Sequence, residues 1–132
     1  MPTRTRRRPA FPALIRSILE ESRSLGIRAG PDHRFTSIWF VVVDNRLFIR
    51  PWNDKPGGWH RALLRDGRGT MTLAGREIPV RARQSRGKGI FDAVDDAYAE
   101  RYPTKGSQKW VRGFATARRR ATTTELLPAR AS

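Results

Sequence analysis

Apolar residues recur at helical spacing near the start of the chain and give way to continuous or alternating patterns further along. Over residues 11–25 the apolar side chains fall on one side of a helical projection and the charged ones on the other. This pattern predicts an amphipathic helix that ends at Gly26 or Gly30. The residues on its inner side are Leu14, Ile15, Ile18, Leu19, Ser22 and Leu25.

Two hairpins follow in the pattern. Residues 35–43 form a nearly continuous β-branched and aromatic run, a turn follows at Asp44 and Asn45, and residues 47–50 resume the strand, which predicts a hairpin with a well-buried first strand. After a short predicted helix at residues 59–65, residues 69–73 and 76–83 form a second hairpin. In its second strand apolar and basic side chains alternate, so one face is apolar and the other is strongly basic.

The remaining elements are a helix at residues 90–102, a short helix at residues 110–114 and a closing strand at residues 121–127. Five strands with hairpin connections and no repeated βαβ unit predict a protein that is mainly β with α. The expected architecture is a split antiparallel β-barrel with flanking helices. We expect a basic N-terminal tail at residues 1–10 and a single domain at residues 11–132.

Composition excludes several kinds of site. The chain of 132 residues has no cysteine and two histidines, so thiol nucleophiles, disulfides and cysteine-ligated metals are excluded, and no metal site is predicted. No apolar run is long enough to span a bilayer. From these features we expect a soluble, cytoplasmic protein without a membrane partner.

The net charge of +15 predicts salt-dependent affinity for polyanions. Part of this charge lies in two terminal clusters, at residues 4–8 and 118–120. Another part lies on the basic face of the second hairpin and in the loop after it. The candidate polyanion-binding residues there are Arg81, Arg83, Arg86 and Lys88. A basic module that binds nucleic acid without catalysis is therefore one functional hypothesis.

Residues 50–66 combine a strand end, a basic loop and the start of a helix, which together are typical of an anion site. Cationic side chains supply charge, glycines permit close backbone approach, and the helix start presents N–H groups. Two tryptophans can flank a flat ring, or they can simply fill a core. The candidate cofactor-binding residues are Arg50, Trp52, Lys55, Gly57, Gly58, Trp59 and Arg61.

Two blocks resemble a known superfamily. The block WHRALLRDGRGTMTLAGREIPVRARQ is similar to the central motif of the split β-barrel superfamily that binds FMN or a deazaflavin. The later pattern, DAVDDAYAERYPTK followed by ATTTELLP, resembles an uncharacterised bacterial branch of that superfamily, which includes proteins like pyridoxamine-phosphate oxidase and deazaflavin-dependent nitroreductase. The resemblance covers residues 34–128.

The resemblance implies a homodimer with the coenzyme at the subunit interface and its phosphate near residues 50–61. It also implies an oxidoreductase in which the coenzyme carries the redox chemistry, so no catalytic residue is assigned. The bulky run Ile38-Trp39-Phe40 departs from the small residues of deazaflavin-using relatives and can fill the pocket. FMN, a deazaflavin and no coenzyme all stay open, as does a barrel that binds only a partner chain.

The two histidines and an acidic helix face are not predicted to form a site. His60 is expected to be a solvated helix residue, and His33 is expected to lie exposed in a turn-rich loop. The acidic face of the predicted helix at residues 90–102 is expected to be solvated or to pair with the arginines of residues 76–86, which would place that helix across the second hairpin.

Overall fold

The computed structural model describes residues 10–53 and 58–129, and these residues form seven antiparallel strands and five α-helices. The strands are β1 Leu25–Arg28, β2 Thr36–Ile38, β3 Val41–Val43, β4 Arg46–Ile49, β5 Arg68–Leu73, β6 Arg76–Gln84 and β7 Thr124–Pro128. The helices are α1 Ala13–Glu21, α2 Trp59–Asp66, α3 Lys88–Arg101, α4 Gln108–Phe114 and α5 Ala117–Arg120, with a 3-10 turn at Lys105–Ser107.

The strand order forces the sheet to curl. The order is β2-β1-β5-β6-β7-β4-β3, so β2 and β3 are the two edges, yet only Trp39 and Phe40 separate them in the chain. Such a short link spans at most about 11 Å between the Cα atoms of Ile38 and Val41. The edges of a flat sheet of this size would lie about 29 Å apart. The sheet is therefore a half-barrel, which confirms the predicted fold class, mainly β with α.

Tyr102 holds the link in place. Its hydroxyl oxygen accepts the Phe40 N–H at 3.2 Å and lies 2.9 Å from the carbonyl oxygens of both Phe40 and Arg23. The Trp39 ring stacks on the Tyr102 ring, with 3.9 Å between centroids and 6° between planes. At this corner the backbone groups of Phe40 and Arg23 thus form hydrogen bonds with a buried side chain.

Two apolar clusters lie on opposite sides of the sheet. One fills the half-barrel, closed by α1 and α2, and the other lies between the β3–β4 hairpin and helices α3 and α4. Strand β4 shows the division, because Leu47 and Ile49 belong to the first cluster and Phe48 to the second. All three are buried since this strand is covered on both faces.

Both predicted hairpins are confirmed. The β3–β4 turn places Asp44 and Asn45 at φ 51° and 63°, and the β5–β6 turn places Ala74 and Gly75 at φ 50° and 79°. Two successive residues with positive φ form the tight turn whose twist matches that of paired strands.

The prediction of five strands is wrong in two places. The first helix ends at Glu21, and Leu25 begins strand β1, although its apolar side chain also fits the helical spacing. Gly26 packs against β5 so closely that a Cβ would lie 2.3 Å from Thr72 Oγ1. The predicted strand at residues 35–43 divides into β2 and β3 at the link. The closing strand begins at Thr124 instead of residue 121, because α5 precedes it.

Two buried tyrosines allow a matched test of the link. We expect Tyr102→Phe to lower the free energy of unfolding by about 1–3 kcal/mol, since it leaves buried backbone groups without a partner. Tyr98→Phe should leave stability unchanged or slightly higher, because the Tyr98 hydroxyl lies near the Arg50 backbone N–H but outside hydrogen-bonding geometry. Urea unfolding followed by tryptophan fluorescence measures both.

The same tyrosines predict a loss of stability in alkali. Burial raises the pKa of Tyr98 and of Tyr102 above their usual value. Their contribution is therefore fully present below the ordinary phenol pKa and is lost as pH rises above it, where the unfolded chain ionises first. We expect the free energy of unfolding to fall between about pH 9 and pH 12, and to fall less steeply in Tyr98→Phe. Equal slopes in the two proteins would contradict this account.

Candidate functional site

A cleft of about 250 Å³ opens beside the link. It lies where β2, the end of β4 and helix α4 meet. Its lining is mostly aromatic, with one buried cation, and consists of Ser37, Ile38, Trp39, Arg50, Trp52, Trp110 and Phe114. Concave, largely apolar surfaces with a few polar groups are the usual form of small-molecule sites.

Ring-to-ring contacts fix the aromatic walls. The Trp52 ring meets Trp110 and Phe114 edge-on, at centroid distances of 4.7 Å and 5.2 Å. On the other side the Trp39 ring lies 6.1 Å from Phe114. Because each wall is held by a neighbouring ring, the walls present fixed faces to a ligand.

Gly113 lets Trp52 approach α4. A Cβ built at Gly113 would lie 2.4 Å from Cη2 and 2.7 Å from Cζ3 of the Trp52 ring. Any side chain at this position would push the ring out of its place. Gly113 therefore sets the width of the cleft, although it does not line it.

Arg50 is the buried cation of the cleft, and its side chain is fully enclosed. Four of its five N–H groups have partners among the described residues. They donate to Thr123 Oγ1 at 2.8 Å, Asp95 Oδ1 at 2.5 Å, the Phe114 carbonyl at 2.9 Å and the Phe91 carbonyl at 3.1 Å. One guanidinium thus ties β4 to α3, to α4 and to the segment before β7.

Two cations lie over the outer tryptophans. The Arg119 guanidinium carbon is 3.6 Å from the Trp52 ring centroid, and the Lys109 ammonium is 5.1 Å from that of Trp110. Arg119 also donates to the carbonyls of Trp52 at 2.9 Å and Gly113 at 3.1 Å. These contacts add positive charge to the cleft's rim and brace the Trp52 wall.

The structure divides the predicted cofactor segment between two places. Arg50 and Trp52 line the cleft, whereas Trp59 packs against the cluster inside the half-barrel. Gly58 precedes the first turn of α2, and Arg61 is an exposed residue of that helix. Lys55 and Gly57 lie outside the described residues. That all seven candidate residues form one cofactor site remains a prediction.

Sequence reasoning missed the part of the cleft that comes from α4. Trp110 and Phe114 were expected to share a short helix, and they do, but nothing local places that helix beside Trp52. The available signal was weak: a glycine within an otherwise regular helix, Gly113, often marks a close approach by another group.

Two sequence interpretations are wrong. His60 is buried, and its Nε2 lies 2.8 Å from Thr124 Oγ1. Since that hydroxyl donates to the Thr122 carbonyl, Nε2 carries the proton and donates to Thr124. His33 is half-buried instead of exposed.

The acidic face of α3 has different partners from those expected. Helix α3 packs over β3, at the far edge of the sheet from the second hairpin. Asp95 pairs with Arg50 and, at 3.1 Å, with Arg120, while Asp92 pairs with Arg120 and Lys88. The hydrogen bond from Lys88 is the largest influence holding the pKa of Asp92 below its usual value.

Two other kinds of feature are absent from the described part of the chain. In residues 10–53 and 58–129, no three His, Asp or Glu side chains lie together as a metal site would require. No helix in these ranges has the length and apolar character needed to cross a bilayer.

The chain belongs to a bacterial family described as "Uncharacterized protein conserved in bacteria (DUF2255)", which matches residues 22–126. Among solved structures it is similar to a conserved hypothetical protein, Rv2991, from Mycobacterium tuberculosis, with a TM-score of 0.59 and 18% identity over 97% of this chain and 87% of the other. At this identity the likeness supports the fold alone. No curated protein matches the sequence.

Asp95 and Asp96 allow a matched test of the buried charge. Asp95→Asn should lower the free energy of unfolding by about 2–4 kcal/mol, because it leaves the Arg50 charge without its carboxylate. Its exposed neighbour Asp96 lies outside this network of described residues, and Asp96→Asn should change stability by less than about 0.5 kcal/mol. Urea unfolding of both variants measures the difference. Equal, small effects would show that Arg50 does not depend on Asp95.

Proposed function

We propose that this protein binds the ring of an FMN- or deazaflavin-type coenzyme in the cleft between Trp39, Trp52 and Trp110, and that it is an oxidoreductase. The observation that supports the proposal is the cleft itself: aromatic walls and a buried guanidinium on a half-barrel fold. The resemblance of residues 59–84 to the central motif of the coenzyme-binding superfamily supports the same choice.

The cleft has room for the ring of such a coenzyme but not for the whole molecule. The cleft's volume, about 250 Å³, is below the roughly 300–1,000 Å³ of common ligand pockets. A planar ring can enter, with the rest of the molecule extending along the rim. The cations that would meet a phosphate at the rim are Lys109 and Arg119. We propose Lys55 as a third phosphate-binding cation on the basis of the sequence alone.

Arg50 has a different role in this proposal from the one that the sequence predicted. A guanidinium with four internal hydrogen bonds cannot also make a paired contact with a phosphate without giving some of them up. Because the side chain is also fully enclosed, Arg50 would act on the ring through its charge and not through a direct hydrogen bond. The positive charge at the base of the cleft favours a ring that gains electron density on reduction.

The coenzyme would supply the redox chemistry when bound. The protein's own residues would orient the ring between indole faces, exclude water from it and keep a cation near its edge. No acid, base or nucleophile of the chain is assigned a catalytic role.

We include a homodimer and a cytoplasmic location in the proposal, as the sequence predicts. Trp110 is 39% exposed at the cleft's rim, which is unusual for so large an apolar side chain and is compatible with cover from a second subunit. Sedimentation equilibrium would test this part, and a monomer at micromolar concentration would remove it.

Coenzyme binding is tested by titration with FMN and, separately, with a deazaflavin, at low and at high salt. We expect saturable binding that persists at high salt, because a shaped cleft does not rely on charge alone. Trp110→Ala should weaken the affinity at least about tenfold through loss of a stacking face. Binding that vanishes with salt would contradict the proposal.

Two glycines provide the matched control. Gly113→Ala should displace Trp52 and weaken binding, whereas a Cβ at Gly106 meets nothing within 4 Å, so Gly106→Ala should bind normally. Circular dichroism checks that both variants are folded. Unchanged affinity in Gly113→Ala and Trp110→Ala together would place the coenzyme elsewhere.

A further inference from the structure

One outer face of the β5–β6 hairpin carries arginines that no acid among the described residues neutralises. Arg68 lies directly opposite Arg81 in the strand register, and Arg83 follows two residues later on the same face. Arg86 lies in the loop just beyond the end of β6, close in sequence to this face but outside the strand pairing. All four are exposed, and none makes an ion pair with a described residue.

The acids near this face are already engaged. Glu125 lies opposite Arg83 on β7, but it is buried and its two oxygens accept from Arg46 at 3.0 Å and 3.2 Å. Glu77, near the other end of the hairpin, pairs with Arg28. Within residues 10–53 and 58–129, the carboxylates near these arginines thus have other partners and do not compensate them.

This arrangement has an energetic consequence. Like charges directly opposite each other on antiparallel strands destabilise the pair, so the Arg68–Arg81 pair opposes folding unless an anion lies between them. The inward side chains of β6, Val80 above all, hold the strand to the barrel core and fix which face the arginines occupy. The helix nearest in sequence, α3, packs over β3 and leaves this face in solvent.

From these observations we propose that the outer face of β5–β6, with Arg68, Arg81, Arg83 and Arg86, binds the phosphate backbone of double-stranded nucleic acid. Successive outward residues of a strand are about 6.7 Å apart, so the backbone holds the Cα atoms of Arg81 and Arg83 at a fixed spacing beside Arg68. Arginine forks pair well with phosphate oxygens.

The composition of the face favours a duplex over other polyanions. Single strands are held by aromatic stacking as well as by charge. The next outward positions on the two strands are Thr70 and Pro79, and neither is aromatic. Attachment to a lipid surface usually adds an apolar insertion, and Leu127, which lies opposite Arg81, is buried. Contacts to phosphates alone predict binding without sequence preference.

The test is fluorescence anisotropy with a short labelled duplex of mixed sequence, over a salt series of about 50–200 mM. We expect a linear fall of log K with log salt for the full chain. In the triple variant Arg68→Gln, Arg81→Gln, Arg83→Gln the slope should become less steep by about 2–3, since each lost phosphate contact removes about 0.9.

A second triple variant controls for net charge. Arg23→Gln, Arg34→Gln and Arg112→Gln remove the same charge from exposed positions outside the hairpin. This variant should keep most of the affinity and slope of the full chain. Equal flattening in both variants would overturn the proposal in favour of general charge attraction.

Two further probes decide the kind of polyanion. A single strand of the same length, or vesicles containing phosphatidylserine, should bind more weakly than the duplex at equal salt. Tighter binding of either would overturn the assignment to duplex nucleic acid. Because the hairpin variants leave the cleft intact, coenzyme titration of the same proteins separates this result from the function proposed for the cleft.

Discussion

The short connection between the two edge strands is the constraint on which the rest of the structure depends. Since only Trp39 and Phe40 join β2 to β3, the sheet has to curl until its edges approach each other. Curling turns one face into a closed core and exposes backbone groups at the corner, which the Tyr102 hydroxyl satisfies. Tyr102 directly follows α3, so the link also determines where that helix packs.

The position of α3 in turn explains the buried charge. Once α3 covers β3, its Asp95 lies beside the end of β4, where Arg50 can be neutralised inside the protein. Removing an ion from water is favourable only when a counter-charge and hydrogen bonds replace the water, and Arg50 has both. The cleft is lined by Arg50 and by Phe114 of α4, whose carbonyl accepts from Arg50, so its shape depends on how α4 packs against this buried charge.

The parts of the fold that could be predicted are those that a local sequence pattern specifies. Asp44, Asn45 and Gly75 are residue types that accept the positive φ of the two turns, and the alternation in β6 follows from a single buried face. Strand β1 was missed because the apolar residue Leu25 also fits the helical spacing of the segment before it. Only the pairing of β1 with β5 shows that this segment is a strand and not a helix. The cleft needs α4 to lie against Trp52, a contact between distant segments that no local pattern encodes.

The high positive charge has two separate origins, which composition cannot distinguish. Some arginines are structural: Arg50 is buried, Arg101 donates to the Leu19 carbonyl at the end of α1, and Arg119 lies on an indole ring. Their charge is taken up by carboxylates, carbonyls and aromatic faces, so they add little to the attraction of a distant polyanion. The arginines of the β5–β6 face, represented by the opposed pair Arg68 and Arg81, have no such partner in the part of the chain that the structure describes. Net charge therefore overstates the number of groups available for binding, and the register of the strands identifies which ones are available.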